Sequence, residues 1–377
     1  MTAAAGGDAT FFTNGSFITN LNTGAAGAFA STLAGSATYL CNLIGGANFS
    51  PCAGVTGAGY PINFFQANPY NAGKATGFQT DPGYGTYHSL QLDFRQKPWH
   101  GMQFDVNYAW SHSLGVQPNN SWTGAFNLFT MRNLRDSYGP TGFDYRHVIH
   151  ANGTYDLPFG KGRKFASNGG IADKIIGGWS VGTIVNWQTG GPYQLLGGFN
   201  TVNGPTNTPV GDVYGDGGVV LNGVSLSDLQ ASKVHHVAGA PYALTINPKY
   251  FNFDPTSGLP VGVNQSFIAP NTTPGVFGAH PWLYGPHTFS QDLAITKTFA
   301  IRENVRFIFK SEFINVWNHP VWANPAGGYN STSQGFIQNT SAPIQSATFG
   351  ESSVVQTNPG QVGLGARQIE FVANIEF

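Results

Sequence analysis

Charge is what this 377-residue chain has least of. Asp, Glu, Lys and Arg together make 9% of it, against roughly 25% in an ordinary soluble domain. Between Ala9 and Gly73 no Asp, Glu, Lys, Arg or His occurs at all. A surface that water alone keeps dispersed is normally much richer in charge. The net charge is −1, so no basic field exists to draw nucleic acid, and that partner class is excluded. Cysteine is almost missing too: Cys41 and Cys52 are the two present, which excludes a disulfide-dense scaffold. The pair reads as reduced thiols, a weak metal pair or a closed small loop. Its uncharged Gly-, Asn- and Pro-rich setting favours the disulfide.

Long apolar runs are absent as well. A spanning helix needs about 18 or more such residues. The nearest stretch, Ala25 to Ala47, is interrupted by Ser31, Thr32, Ser36, Thr38 and several glycines. The opening "MTAAAGGDAT" has no basic segment and no apolar core, so it does not read as a signal peptide. Nor is there a His-Glu-x-x-His, a Gly-x-Ser-x-Gly, a phosphate-cradling glycine loop or a second cysteine pair. No catalytic residue, cofactor or metal is expected, and the chain is not read as an enzyme.

What the chain has instead is aromatic residues (14%), 51 glycines and period-two alternation. In "MQFDVNYAWSH" one side carries Met102, Phe104, Val106, Tyr108 and Trp110; the other carries Gln103, Asp105, Asn107, Ala109 and Ser111. Alternation of this kind marks a two-faced strand. "HSLQLDFRQ" before it alternates likewise, and "KPWHG" between them predicts a hairpin. Further strands are predicted over Tyr145 to Asp156, Trp179 to Thr189, Phe289 to Phe299, Val305 to Trp317 and Arg367 to Phe377, seven in all. Strands of about ten residues, tilted near 45°, cross an apolar band of roughly 25 Å. Trp99, Trp110, Trp179, Trp187, Phe299 and Trp317 sit toward strand ends, as aromatic girdles do.

The connections sort by parity. Those after the first, third and fifth strands are short or of middling length. The others, 114–143, 190–286 and 318–365, are long. An outer-membrane barrel has this pattern, with short turns in the periplasm and long loops outside. The expected fold is therefore all-β: an antiparallel up-and-down transmembrane barrel portion of about seven or eight strands over 85–377. Residues 1–84 read as a loop region of the extracellular side, with a helical piece near Ala25 to Ile44. An odd strand count cannot close as an even-stranded barrel does. The sheet is expected to be open, and the chain to be the C-terminal portion of something longer.

Five blocks carry a family resemblance. "YHSLQLDFRQKPWHGMQFDVNYAWSHSLG", "YGPTGFDYRHVIHANGTYDLPFGKGRKF", "GGWSVGTIVNWQTGGPY", "YGPHTFSQDLAITKTFAIRENVRFIFKSEFINVWNHPVWANP" and the closing "GARQIEFVANIEF" resemble Oar-like TonB-dependent outer-membrane transporters. That group also carries a carboxypeptidase-regulatory-like domain. The resemblance runs over about residues 60–377. It implies the outer membrane of a Gram-negative-type bacterium and a barrel of about 22 strands around a plug. It also implies an inner-membrane energy-coupling partner and capture of a solute such as a glycan or peptide. The signal, plug and coupling box of that family are not found in this sequence.

On the strands, Arg146, His150, Gln188, Asp292, Arg306, Lys310 and Glu312 are the polar candidates for a hydrated lumen, with charge pairing there the blander reading. The terminal Ile369, Phe371, Ile375 and Phe377 face lipid in this reading and form the strand that barrel assembly machinery would recognise. Asp212 and Asp216 in "GDVYGDGG" read as a plain turn, since a calcium loop wants closer carboxylates. His235 and His236 are adjacent on a strand, so they point apart and suit one metal poorly. Asp144, Arg146 and His147 read as structural. Two other functions fit less of the pattern: a structural or adhesive surface protein, and a secreted β-sandwich binding module.

Overall fold

The computed structural model describes residues 83–116, 133–165, 170–197, 218–230, 234–240, 242–273, 275–302, 304–319, 321–322, 333–335, 351–353 and 367–377, with positions 15, 18, 41, 54 and 56. Nearly all of 1–84, Cys52 included, lies outside them, as do Asp212 and Asp216. Cys41 is disulfide-bonded.

Seven long strands build one sheet: β1 (Gly85–Trp99), β2 (Met102–Gly115), β3 (His147–Asp156), β4 (Trp179–Gln188), β5 (Thr288–Arg302), β6 (Val305–Ile314) and β7 (Gln368–Glu376). Each pairs antiparallel with its neighbours in sequence, and a stub at Gly139–Pro140 adds to β2. Among the described residues the outer edges of β1 and β7 are unpaired, so the sheet is open. The β1–β2 hairpin turns on His100 (φ 49°) and Gly101 (φ 84°). A two-residue turn with both φ values positive matches the twist of the strands it joins. Just before it, the register shifts between Gln96 and Trp99, where Pro98 has no N–H for the ladder.

Register carries the two-faced pattern from strand to strand, because directly opposed residues share a face. One row runs Leu92, Tyr108, Ile149, Trp187, Phe289. A second runs Met102, Tyr155, Val181, Ile295, Ser311, Phe371. A third joins Phe299, Phe307 and Ile375. A slip of one residue at any seam would turn the following strands inside out. Phe104, Trp187, Phe307 and Phe371 all fall on this apolar face, and none belongs to the buried core.

The sheet is one layer, so the core forms elsewhere. Tyr193, Leu195, Leu229, Leu244, Ile246, Ile268 and Leu283 are fully buried together. They all come from 190–286, the longest predicted loop. Short strands organise it: Pro192–Leu196 with Trp282–Tyr284, Val219–Leu221 with Ile268–Pro270, and Phe251–Phe253 with Pro260–Val263. Ser333–Gly335 and Glu351–Ser353, from the third long connection, pair onto this unit. Each large apolar side chain buried there contributes about 1.5–3 kcal/mol. The expected strand over Val305 to Trp317 stops at Ile314. Asn315 takes φ 50° and its N–H donates to the Asp292 carboxylate at 2.9 Å, which turns the chain out of the sheet.

Candidate functional site

The folded loop unit meets the wall at one buried carboxylate. Asp144, between β2 and β3, has no solvent exposure. A buried charge survives only when paired and hydrogen-bonded. Its Oδ1 accepts from the Ser113 N–H at 2.8 Å and lies 3.0 Å from His112 Nδ1. Its Oδ2 accepts from the Tyr284 hydroxyl at 2.5 Å and lies 3.5 Å from Arg146 Nε. Arg146 also donates to the Tyr284 oxygen at 3.1 and 3.2 Å, and its Nη2 is 3.3 Å from His112 Nε2. Burial and the hydrogen bond to Asp144 push the Tyr284 phenol up to about 12.

Tyr284 is in turn fixed by the loop unit. Its N–H donates to Gln230 Oε1 at 2.6 Å, and Gln230 Nε2 donates back to its carbonyl at 2.9 Å. Nearby, Trp282 packs over Gly139, where a β-carbon would meet the indole nitrogen at 2.4 Å. The backbone of the wall can approach the loop unit only where there is no side chain. This latch joins residues 140 positions apart. It holds a charge and an orientation at the rim where the long connections leave the wall.

The polar candidates lie on the face opposite the aromatic rows. The register places His150 opposite Asn186, Gln188 opposite Val148, Arg306 opposite Glu376, and Glu312 opposite Ala294 and Glu370. His150 Nδ1 lies 2.7 Å from Asn186 Oδ1. Lys310 pairs with Glu312 on its own strand. Asp292 anchors the turn after β6, and Arg146 belongs to the latch. His147 lies on the apolar side, with Nδ1 2.8 Å from the Tyr108 hydroxyl. His236 meets Trp322 edge-on at 5.4 Å between ring centroids. Among the described residues no group of His, Cys, Asp and Glu could hold a metal.

Sequence reasoning missed His112 and Tyr284 as partners of Asp144, and Gln230 as the residue that fixes Tyr284. Only "GFDYRH", with an acid beside a base and an aromatic, hinted at a cluster.

A model of the outer membrane β-barrel domain matches residues 7–361, more than nine tenths of the chain. The chain belongs to that family. Comparison with curated proteins finds no match. An outer-membrane barrel turns its apolar face to lipid, which accounts for the exposed rings along the sheet and for the scarcity of charge. Its location is the outer membrane, and the secreted sandwich reading falls. The terminal strand of this barrel wall leaves Ile369, Phe371, Ile375 and Phe377 half exposed or more, with Phe371 stacked on Phe309 at 6.0 Å.

Proposed function

We propose that this chain is the C-terminal part of the barrel wall of a TonB-dependent-type receptor, working without catalysis. Its loop unit would capture a large solute, a glycan or peptide, at the outer rim. Lipid surrounds the apolar face, assembly machinery takes up the terminal strand, and Arg146, His150, Gln188, Asp292, Arg306, Lys310 and Glu312 look toward the lumen. A plug and an inner-membrane energy-coupling protein complete the transporter.

The observation that carries this reading is the latched loop unit. A simple wall needs only short or disordered connections, whereas this one supports a packed core and fixes it to β2 and β3 through Asp144. Rigid elements that position surface loops serve binding. The two edges that are unpaired among the described residues match a wall that further strands would complete.

An antibody raised against the loop unit tests the reading in isolated outer membranes. The expected antigen is a polypeptide much larger than 40.1 kDa that co-purifies with the energy-coupling protein. A lone band near 40.1 kDa that shifts on heating and forms oligomers would favour a structural or adhesive surface protein instead.

A further inference from the structure

The connection from β3 to β4 concentrates charge that the rest of the chain lacks. It carries Lys161, Arg163, Lys164 and Lys174 with Asp173, and Asp156 stands at its entrance. The two acids are engaged: Asp156 pairs with Arg163 at 3.2 Å, and Asp173 accepts from the Lys161 N–H. Lys161, Lys164 and Lys174 are exposed and form no ion pair among the described residues. Lys97 and Arg302 lie at the same end of the sheet, beside the other two turns.

Apolar side chains stand among these cations. The short helix α1 (Ile171–Ile176) leaves Ile171 80% and Ile175 65% exposed, four residues apart and so on one face. Ile176 and Phe165 are exposed as well, and Lys164 Nζ lies 5.4 Å from the centre of the Phe165 ring. Exposed isoleucines interleaved with lysines suit an interface between headgroups and acyl chains.

The position of α1 decides which interface. Trp179 and Lys297 both lie on the apolar face, opposed in the β4–β5 register. The Trp179 indole N–H donates to the Ile175 carbonyl at 2.9 Å. Lys297 Nζ donates to the same carbonyl at 3.2 Å and to that of Gly177. The ammonium thus rises from the lipid-facing rows to cap the helix C-terminus, between the rings of Trp179 and Phe299. Gly178, at φ 70°, makes the close return to β5; a β-carbon there would meet the Thr298 carbonyl oxygen at 2.5 Å. So α1 is pinned over the margin of the lipid-facing side, at the short-turn end. In an outer-membrane barrel that end is periplasmic.

We propose that the described parts of this connection, 157–165 and 170–178, form a docking surface for anionic phospholipid of the periplasmic leaflet. Lys161, Lys164 and Lys174 meet the phosphates, and Ile171 and Ile175 enter the acyl boundary. The surface continues the lipid-facing side of the wall and depends only on the outer-membrane barrel assignment, not on the receptor reading.

The test uses the full chain in a mild zwitterionic detergent, given equal phosphatidylglycerol and phosphatidylcholine, with retained lipid counted by native mass spectrometry. Three lysines near an anionic surface give a preference of about tenfold or more for phosphatidylglycerol at low salt, falling as salt rises. Soluble glycerol phosphate does not displace it. The K161Q/K164Q/K174Q variant, with unchanged heat-modifiable mobility, brings the preference close to parity. I171S/I175S lowers retention of both lipids. Equal retention by the wild type, a preference insensitive to salt, displacement by glycerol phosphate, or displacement by a periplasmic protein would each overturn the proposal. Should the lysine variant misfold, the wild-type headgroup and salt comparisons decide by themselves.

Discussion

Asp144 shows how a single side chain can commit two distant parts of a chain to one arrangement. Its carboxylate is fully buried yet surrounded by donors from three places: Ser113 and His112 on β2, Arg146 beside β3, and Tyr284 in the loop unit. Removing one donor leaves a buried acceptor less satisfied. Tyr284→Phe should therefore loosen the loop unit by about 1–2 kcal/mol, read as faster limited proteolysis within 190–286 while the wall keeps its heat-modifiable mobility. The latch also has a pH sense. The Tyr284 phenol is raised from the ordinary value of about 10 to about 12, so the folded state prefers the neutral, donating form. Its contribution is complete below about pH 10 and is lost as pH rises through about 12. The buried Tyr193 phenol is raised as well, so phenolate absorbance should show one fewer late-titrating tyrosine in Tyr284→Phe than in the wild type. The acid in "GFDYRH" was legible as structural in the sequence. Its tyrosine partner was not, because a contact across 140 positions leaves no local period.

Strands are the scale at which the sequence was most readable. Alternation is a local property, set by the extended backbone turning successive side chains to opposite faces. Val185 and Asn186 are neighbours on β4, yet the register assigns them to opposite sides, with Ala151 and Gln291 next to one and His150 and Ser290 next to the other. Val185→Arg should destabilise the barrel by about 2–4 kcal/mol, as a charge facing lipid near the midplane does. Asn186→Arg should change it by less than about 1 kcal/mol. Urea titration of the protein in vesicles measures both, and equal effects would count against the assignment of faces. The short strands of the loop unit were hidden for the opposite reason. Val219–Leu221, Tyr242–Leu244 and Ile268–Pro270 hold three residues each, too few for a period to show. They are strands because a common core holds them there.

Across the whole molecule the controlling feature is an open wall carrying a closed, packed cap. Among the described residues β2 to β6 are paired on both sides, whereas β1 and β7 are each paired on one. An unpaired edge exposes its amides. For the chain alone in detergent, hydrogen exchange should be slowest in β3 to β5 and fastest in alternate amides of β1 and β7. Uniform protection across all seven strands would mean that the two edges find partners. The amino-acid sequence by itself determined the strands, their two faces, the membrane they suit and the parity of the connections, since each depends on residues within about ten positions of one another. Only the tertiary structure decided that the longest connection is a folded unit, that Asp144 latches it to the wall, and that α1 lies over the lipid-facing margin. Those features come from contacts between segments far apart in the chain, and their energy arises only once the sheet has brought the segments together.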